Sequence, residues 1–481
     1  MPTQLLPVFA ALLSFFFILR PADSFLNPKP AMADKVNIRT GAENPDSLFI
    51  SKIAEEILVS GKAYGNLSVL TKTVGGRLSG SPQMVRAEKW GEETLKNAGA
   101  DKVWLQECMV PHWVRGGKDQ ARLSAGNGKK DEFLDILALG NSVGTGPSGI
   151  SAPVILINNF DELNKRKDEI KGKIVFYNYK FNPRFIETFQ AYGDAVRYRE
   201  YGASLAAKYG AVGMLVRSMT ESVDNNPHTG ALDYIDSFPK IPAAAIGLWD
   251  ADKLAKTIAD NKNPRIFLRT LAKMLPDTIA HNVIGEIAGS EFPDQYITVG
   301  GHLDSWDPAE GASDDGTGCV HSIEVLRALK AIGYKPKHTI RVVLFANEEN
   351  GLRGGTKYGE EAKSKNEKHI FGLESDAGGF TPRGFSIGLP ADKLEKIREA
   401  WLPLLKPYGV YEFAAGGGGA DVSPLKTLLG TPVAELMPDS QRYFDYHHSR
   451  NDVLANVNKR ELELGAINMT ALIYLVDKYG F

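Results

Sequence analysis

From Val283 to the C terminus, short apolar segments alternate with helical ones, and few folds accept such a pattern. Strands are predicted at Tyr296–Val299, Thr339–Phe345 and Ile370–Leu373, and helices at Gly318–Leu329 and Glu461–Val476. Apolar strands separated by helices predict an α/β fold with a mostly parallel mixed sheet that helices flank on both faces. In such a sheet, ligands bind where the parallel strands end.

Acids and histidines follow these strands and also precede two of the helices. They are His302 and Asp304, Asp314 and Asp315, Glu348 and Glu349, Asp376, and the His447-His448 pair. Each alone has an ordinary explanation, such as a helix cap or a solvated acidic turn. Together, at the ligand-binding edge, they predict a metal site. Histidine and carboxylate ligands without thiolate favour zinc, with cobalt or manganese as substitutes.

The local spacing suggests how such a site would operate. Adjacent glutamates at the end of a strand point in different directions, so one can bind metal while the other takes a proton from an activated water. The Asp314-Asp315 pair lies between glycines that permit close backbone approach, which suggests a carboxylate that bridges cations. An acid two residues after His302 suits an acceptor for the second ring nitrogen of a metal-binding histidine.

The N-terminal apolar run, Leu5–Leu19, is too short to span a bilayer and predicts a signal peptide at 1–24, followed by a linker or propeptide at 25–44. We therefore expect a secreted or lysosomal protein without stable membrane insertion once the signal is removed. Secretion gives meaning to glycosylation sequons at Asn66 and Asn468. The net charge of −2, with interleaved signs, argues against nucleic-acid binding.

From roughly Gly117 to Arg269 the sequence has a different pattern. Short apolar strands at Pro153–Ile157, Ile174–Tyr177, Val212–Val216 and Ile266–Leu268 are separated by loops and helical stretches, with few clustered acids or histidines. We interpret 117–275 as an inserted binding or lid module. The catalytic domain would then comprise 45–116 and 276–481.

These motifs resemble peptidase family M28, whose members use two cooperating metals. The resemblance extends to Gly76–Ser81 and Pro111–Gly116, outside the metal positions, and the middle stretch resembles a protease-associated domain. It implies two zinc ions per chain. His302 and Asp376 would bind one, and Glu349 and His448 the other, with His447 as the alternative histidine. Asp314 would bridge them and Glu348 would be the general base. Asp304 would orient His302, and Asp315 would share an unusual peptide geometry with Asp314.

The resemblance also implies a function. We expect a secreted exopeptidase that acts on short peptides, chiefly dipeptides with free termini, and that forms a homodimer. Tyr443 and Tyr411 are both candidates to assist at the oxyanion. The alternatives are an aminopeptidase of the same family, a non-catalytic receptor-like relative, and a relative of the single-metal glutaminyl cyclases.

Overall fold

The computed structural model describes residues 44–124, 130–260 and 263–481. The predicted signal peptide and nearly all of the predicted linker lie outside the described residues. Pro45–Phe481 forms one compact unit that contains two eight-stranded sheets.

The helices are α1 (Pro45–Ser60), α2 (Ala63–Val69), α3 (Pro82–Asn97), α4 (Phe160–Lys165), α5 (Thr188–Ala195), α6 (Arg197–Glu200), α7 (Gly202–Ala207), α8 (Leu248–Asp260), α9 (Thr317–Ala331), α10 (Arg353–Ser364), α11 (Ala391–Leu405), α12 (Ser423–Leu429), α13 (Tyr443–Tyr446) and α14 (Lys459–Tyr479). The strands are β1 (Lys102–Val114), β2 (Gln120–Ser124), β3 (Glu132–Leu134), β4 (Ile136–Ala138), β5 (Ile150–Ile157), β6 (Ile174–Tyr177), β7 (Gly213–Arg217), β8 (Ala243–Ile246), β9 (Arg265–Arg269), β10 (Lys273–Ile287), β11 (Phe292–His302), β12 (His338–Phe345), β13 (Lys368–Glu374), β14 (Pro382–Ile387), β15 (Glu412–Ala415) and β16 (Val433–Pro438).

The first sheet has the order β1-β10-β12-β11-β13-β16-β14-β15. Its four central strands, β12, β11, β13 and β16, are parallel. β10 on one side and β14 on the other run antiparallel to them, and the edge strands are β1, antiparallel to β10, and β15, parallel to β14. Both faces are buried: Leu344 packs with α1, α3, α9 and α14, whereas its neighbour Phe345 packs with α10 and α12. Burial on both faces explains why these strands are apolar at nearly every position. The predicted α/β fold with a mostly parallel mixed sheet and flanking helices is confirmed.

The second sheet has the order β3-β2-β9-β5-β6-β7-β8-β4. All of its strands lie between Gln120 and Arg269, inside the stretch interpreted as an insert. The chain leaves the first sheet at the end of β1 and returns at the start of β10, where Val114 and Lys273 are direct antiparallel partners. The boundaries 117 and 275 themselves stay a proposal.

The prediction of glycosylation at Asn468 is wrong. Asn468 lies inside α14 with a fully buried side chain, and its amide nitrogen donates to the carbonyls of Tyr408 and Leu464. A glycan attached there would have to occupy the core. Asn66 is half-buried in α2, so its sequon stays a prediction. Within the described ranges, none of the helices is both long and apolar enough to cross a membrane.

Candidate metal centre

The predicted site residues meet at one edge of the first sheet. His302 is the last residue of β11, Glu348 and Glu349 follow β12, and Asp376 follows β13. Because these three strands are parallel and adjacent, their carboxyl ends place the side chains side by side. Asp314 reaches the same point from the turn before α9, as does His448 from the turn after α13.

Asp314 lies at the centre of the cluster. Its Oδ1 is 3.1 Å from Nε2 of His302, and its Oδ2 is 3.2 Å from Nε2 of His448. Asp376 completes the His302 side, with Oδ1 3.4 Å from the same nitrogen. Glu349 completes the His448 side, with Oε2 3.1 Å from that nitrogen. The two oxygens of one carboxylate therefore face two separate donor sets.

These separations have the size that metal coordination requires. Donor atoms held about 2 Å from a tetrahedral cation lie about 3.3 Å from one another. Asp314 also belongs to two triplets whose donor atoms all lie within 4.8 Å of each other, one with His302 and Glu349 and one with His447 and His448. Imidazole nitrogen and carboxylate oxygen are ligands for a borderline divalent cation. These donor groups could hold metal, and Asp314 is common to the His302 set and the His448 set.

A frame of backbone hydrogen bonds holds these side chains. Nδ1 of His302 is 2.9 Å from the carbonyl oxygen of Asp304, so this ring nitrogen is the donor and Nε2 faces the cluster. Asp315 accepts from the backbone N–H groups of His302 and Gly318, at 3.0 and 2.9 Å. The peptide bond between Asp314 and Asp315 is cis.

The expectation for Asp304 needs a correction. Its backbone carbonyl, and not its carboxylate, holds the ring of His302, because Oδ1 is 3.8 Å from Nδ1. That Oδ1 instead accepts from the backbone N–H of Glu348 at 3.0 Å. The carboxylate of Asp304 therefore fixes the turn that carries the two glutamates. Asp452, to which the sequence analysis assigned no role, accepts from the backbone N–H groups of Ser313 and Asp314.

The two neighbouring histidines differ in their contacts with the candidate ligands. His448 approaches both Asp314 and Glu349, whereas Nε2 of His447 is 3.8 Å from Asp314. The two rings stack with centroids 3.5 Å apart, and His447 also contacts Tyr192, Tyr443 and Phe444. His448 thus has the geometry of a ligand, and His447 forms part of an aromatic wall.

Negative charge dominates the cluster. Burial, together with Asp376, Glu349 and Asp314, raises the pKa of Glu348 well above its ordinary value. Burial and the nearby Asp314 likewise raise the pKa of Glu349, to about 7. Burial opposes protonation of His302, but Asp376, Asp314 and Asp315 outweigh it and raise the pKa of this histidine. Buried like charges of this density are stabilised by a bound cation.

The cluster lies at a cavity of about 410 Å³ that both parts of the chain line. Asp314, Glu348, Asp376 and His448 come from the first sheet and its loops. The middle stretch contributes Asn141, Phe189, Tyr192, Arg199, Glu200, Ala231 and Asp233. Of the two candidate tyrosines, Tyr443 lines the cavity, whereas Tyr411 is 57% exposed and lies outside its lining.

Contacts from the middle stretch also hold the His448 loop. The backbone N–H of Thr229 donates to the carbonyl of His448 at 2.8 Å. Arg450 forms two hydrogen bonds with Asp135, at 2.8 and 3.0 Å. These residues and Arg199 were not predictable from the sequence, because each stands alone, without a motif. A useful signal would have been the charged sequence Arg197–Glu200 within an otherwise apolar helical region.

Comparison with known proteins agrees with this geometry. A model of peptidase family M28 matches residues 282–473. Carboxypeptidase Q of Bos taurus is 36% identical over 431 residues, which cover 89% of this chain and 88% of the relative. The solved structure of a peptidase M28 precursor from Shewanella amazonensis SB2B aligns with a TM-score of 0.85 at 33% identity, covering 90% of this chain and 96% of that one. A zinc aminopeptidase from Bacillus subtilis shares the fold, with a TM-score of 0.61 at 20% identity, covering 86% of this chain and 94% of that one.

Fold, donor cluster and relatives together define a metallo-exopeptidase. The chain belongs to peptidase family M28, as its motifs predict.

Proposed function

We propose that the chain is a secreted two-zinc exopeptidase that hydrolyses short peptides, chiefly dipeptides with free termini. The observation that carries this proposal is the position of Asp314 between two donor sets, beside a small cavity that also contains a buried arginine. The cavity, at about 410 Å³, is at the small end of ligand sites, which span about 300–1,000 Å³. A site of that size suits a short substrate.

The donor set fits two zinc ions. His302 and Asp376 would hold one, Glu349 and His448 the other, and Asp314 both. Bound zinc would lower the pKa of a water molecule and polarise the substrate carbonyl. The protein orients these ligands through the carbonyl of Asp304 and the carboxylates of Asp315 and Asp452.

Glu348 is the proposed general base. It lines the cavity, and its backbone is held by Asp304, so its carboxylate has a fixed position beside the ligands. Glu348 takes a proton from the attacking water and delivers it to the nitrogen of the leaving amine. Tyr443 lines the same cavity with its side chain 3% exposed, and its hydroxyl is the proposed hydrogen-bond donor to the substrate oxyanion.

Arg199 is the proposed anchor for the free carboxylate of the substrate. Its side chain is buried and held in place, because Nε donates to the carbonyl of Ala231 at 3.0 Å and Nη1 to the hydroxyl of Tyr192 at 2.7 Å. A guanidinium fixed in this way binds a carboxylate with little loss of side-chain entropy. Glu200 and Asp233 line the same cavity and supply negative charge for a free ammonium group.

We expect Arg199→Met to lower kcat/KM for substrates that have a free carboxylate and to leave kcat/KM for the corresponding C-terminal amides unchanged. A charge-assisted hydrogen bond contributes about 1.5–3 kcal/mol, so kcat/KM for a free dipeptide falls about 10- to 100-fold. The measurement is kcat/KM for a dipeptide and for its C-terminal amide. Arg217→Met is the matched control, since Arg217 is another buried arginine of the middle stretch, at the end of β7, that pairs with Asp252 and does not line this cavity. An equal loss on both substrates would contradict the anchor.

Secretion and assembly belong to the same proposal. The apolar run Leu5–Leu19 supports entry into the secretory pathway, with release outside the cell or retention in lysosomes. Asn66 is the remaining proposed glycosylation site. We propose a homodimer, in line with the resemblance to the family.

Metal analysis combined with a dipeptide library tests the function. We expect two zinc ions per chain and hydrolysis of dipeptides that a chelator abolishes and zinc restores. Preference for longer peptides with blocked C termini would indicate an aminopeptidase. About one metal per chain would favour the single-metal alternative. Absence of chelator-sensitive hydrolysis would favour the non-catalytic, receptor-like alternative.

A further inference from the structure

Arg77 is fully buried, yet it belongs neither to the metal donors nor to the lining of the active-site cavity. It lies in the Gly76–Ser81 motif, which contributes nothing to the proposed chemistry described above. A buried guanidinium loses its hydration, so its five donors need protein partners. The identity of those partners indicates what Arg77 does.

Among the described residues, the hydrogen-bond partners of the Arg77 guanidinium are all backbone carbonyls. Nε donates to Leu303, Nη1 to Glu310 at 3.0 Å and Nη2 to Gly311 at 3.0 Å, with a longer contact from Nη1 to Gly75. The first three carbonyls belong to the loop that joins His302 to Asp314. One rigid side chain thus ties the start of this loop to its end.

The backbone of Arg77 contacts the middle of the same loop, because its N–H donates to Oγ of Ser305 at 3.3 Å. The loop fits closely around the guanidinium: Gly311 has a φ of 60°, and a Cβ there would come within 2.2 Å of Oγ of Ser305 and 2.7 Å of Nη1 of Arg77. Only glycine allows the loop to close in this way.

The positive charge of Arg77 interacts with carboxylates of the candidate metal centre. None of the ion pairs among the described residues includes Arg77. Burial lowers the pKa of the Arg77 guanidinium, and the carboxylates of Asp452, Asp304 and Asp315 oppose that shift. Each of these carboxylates accepts backbone N–H groups of the metal centre. The arginine therefore lies behind the acids that hold the ligands.

We propose that Arg77 is a positioning residue of the metal centre, which sets the path of residues 303–311 and thereby the separation of His302 from Asp314. It touches neither substrate nor metal. The inference rests on the proposed two-metal site. Its experiment therefore begins with the metal content of the wild-type protein. That measurement distinguishes an error in the proposed metal site from an error in the proposed role of Arg77.

The test is Arg77→Lys, which keeps the charge but cannot donate to three separate carbonyls. Changes in residues that orient metal ligands cost about 10- to 100-fold in metal affinity or activity. We expect the zinc dissociation constant, measured by chelator competition, to rise by about that factor. We also expect kcat to fall by a similar factor while KM changes less than about 3-fold, because the walls of the cavity are unaltered.

Arg341→Lys is the matched control. Arg341 is 5% exposed and pairs with Glu286 and Glu367 at 3.2 and 3.0 Å, four residues before β12 reaches the site. The same chemical change there should lower the temperature of unfolding and leave zinc affinity at the wild-type value.

Normal zinc affinity and kcat in a folded Arg77→Lys protein would overturn the proposal. A loss of zinc affinity no larger than the loss in Arg341→Lys would also overturn it. If Arg77→Lys fails to fold, Ser305→Ala replaces it, since it removes the hydroxyl that accepts from the backbone of Arg77. A weaker zinc affinity in that variant supports the proposal, and an unchanged affinity refutes it. A wild-type chain that binds no metal would instead refute the proposed function.

Discussion

Replacing Glu348 by glutamine is expected to abolish nearly all turnover while the protein keeps its metals. A general base contributes about 10²- to 10⁴-fold to the rate, and glutamine has the same shape but cannot take a proton at neutral pH. Glu348 lines the cavity, whereas the short contacts with His302 and His448 are made by Asp314, Glu349 and Asp376. Loss of its charge therefore removes the proton carrier and leaves the donor sets intact.

The measurement is kcat with a dipeptide substrate beside metal content per chain. Glu349→Gln is the matched control, because it makes the same change one residue away in a side chain that approaches His448 at 3.1 Å. We expect that variant to lose metal as well as turnover. Retained turnover in Glu348→Gln would refute its assignment as the base, and loss of metal there would make it a ligand.

The second large effect concerns the two adjacent histidines. His448→Gln is expected to lower zinc content from two toward one per chain and to reduce kcat/KM at least about 10²-fold, the scale on which misplaced reacting groups slow a reaction. His447→Gln should keep both metals. The reason is geometric: His448 approaches both Asp314 and Glu349, while His447 stays 3.8 Å from Asp314 and packs against aromatic rings.

Metal content of the two variants, prepared side by side, decides between the histidines. Each change removes one imidazole from adjacent positions whose side chains are both 9% exposed, so differences in folding are minimised. Loss of metal in His447→Gln with full occupancy in His448→Gln would reverse the assignment. A change of substrate preference in His447→Gln, without loss of metal, would agree with its place in the cavity wall.

The alternation of apolar strands and helices predicted the catalytic sheet well. The predicted strands Tyr296–Val299, Thr339–Phe345 and Ile370–Leu373 lie inside β11, β12 and β13. Such strands are recognisable because burial on both faces makes them apolar at nearly every position. The long antiparallel pair of β1 and β10 was not predicted. Many of its residues are exposed or partly exposed, and their hydrophobicity shows no regular alternation.

The candidate cluster was predictable for the same reason. Once β11, β12 and β13 are parallel neighbours, His302, Glu349 and Asp376 must lie at one edge. The failure at Asn468 has the opposite cause. A sequon is a local pattern, whereas its accessibility depends on the helices and strands that pack against α14.

The amino-acid sequence by itself determined the α/β class, the family and the residues that approach one another at the strand ends, because these follow from local periodicity and short motifs. Tertiary structure alone decided that the carbonyl of Asp304 orients His302, that Arg199 reaches the cavity and that Arg77 ties together the loop before Asp314. Each of these depends on the distance and direction of individual hydrogen-bonding groups, which the chain acquires only when segments distant in sequence are packed together.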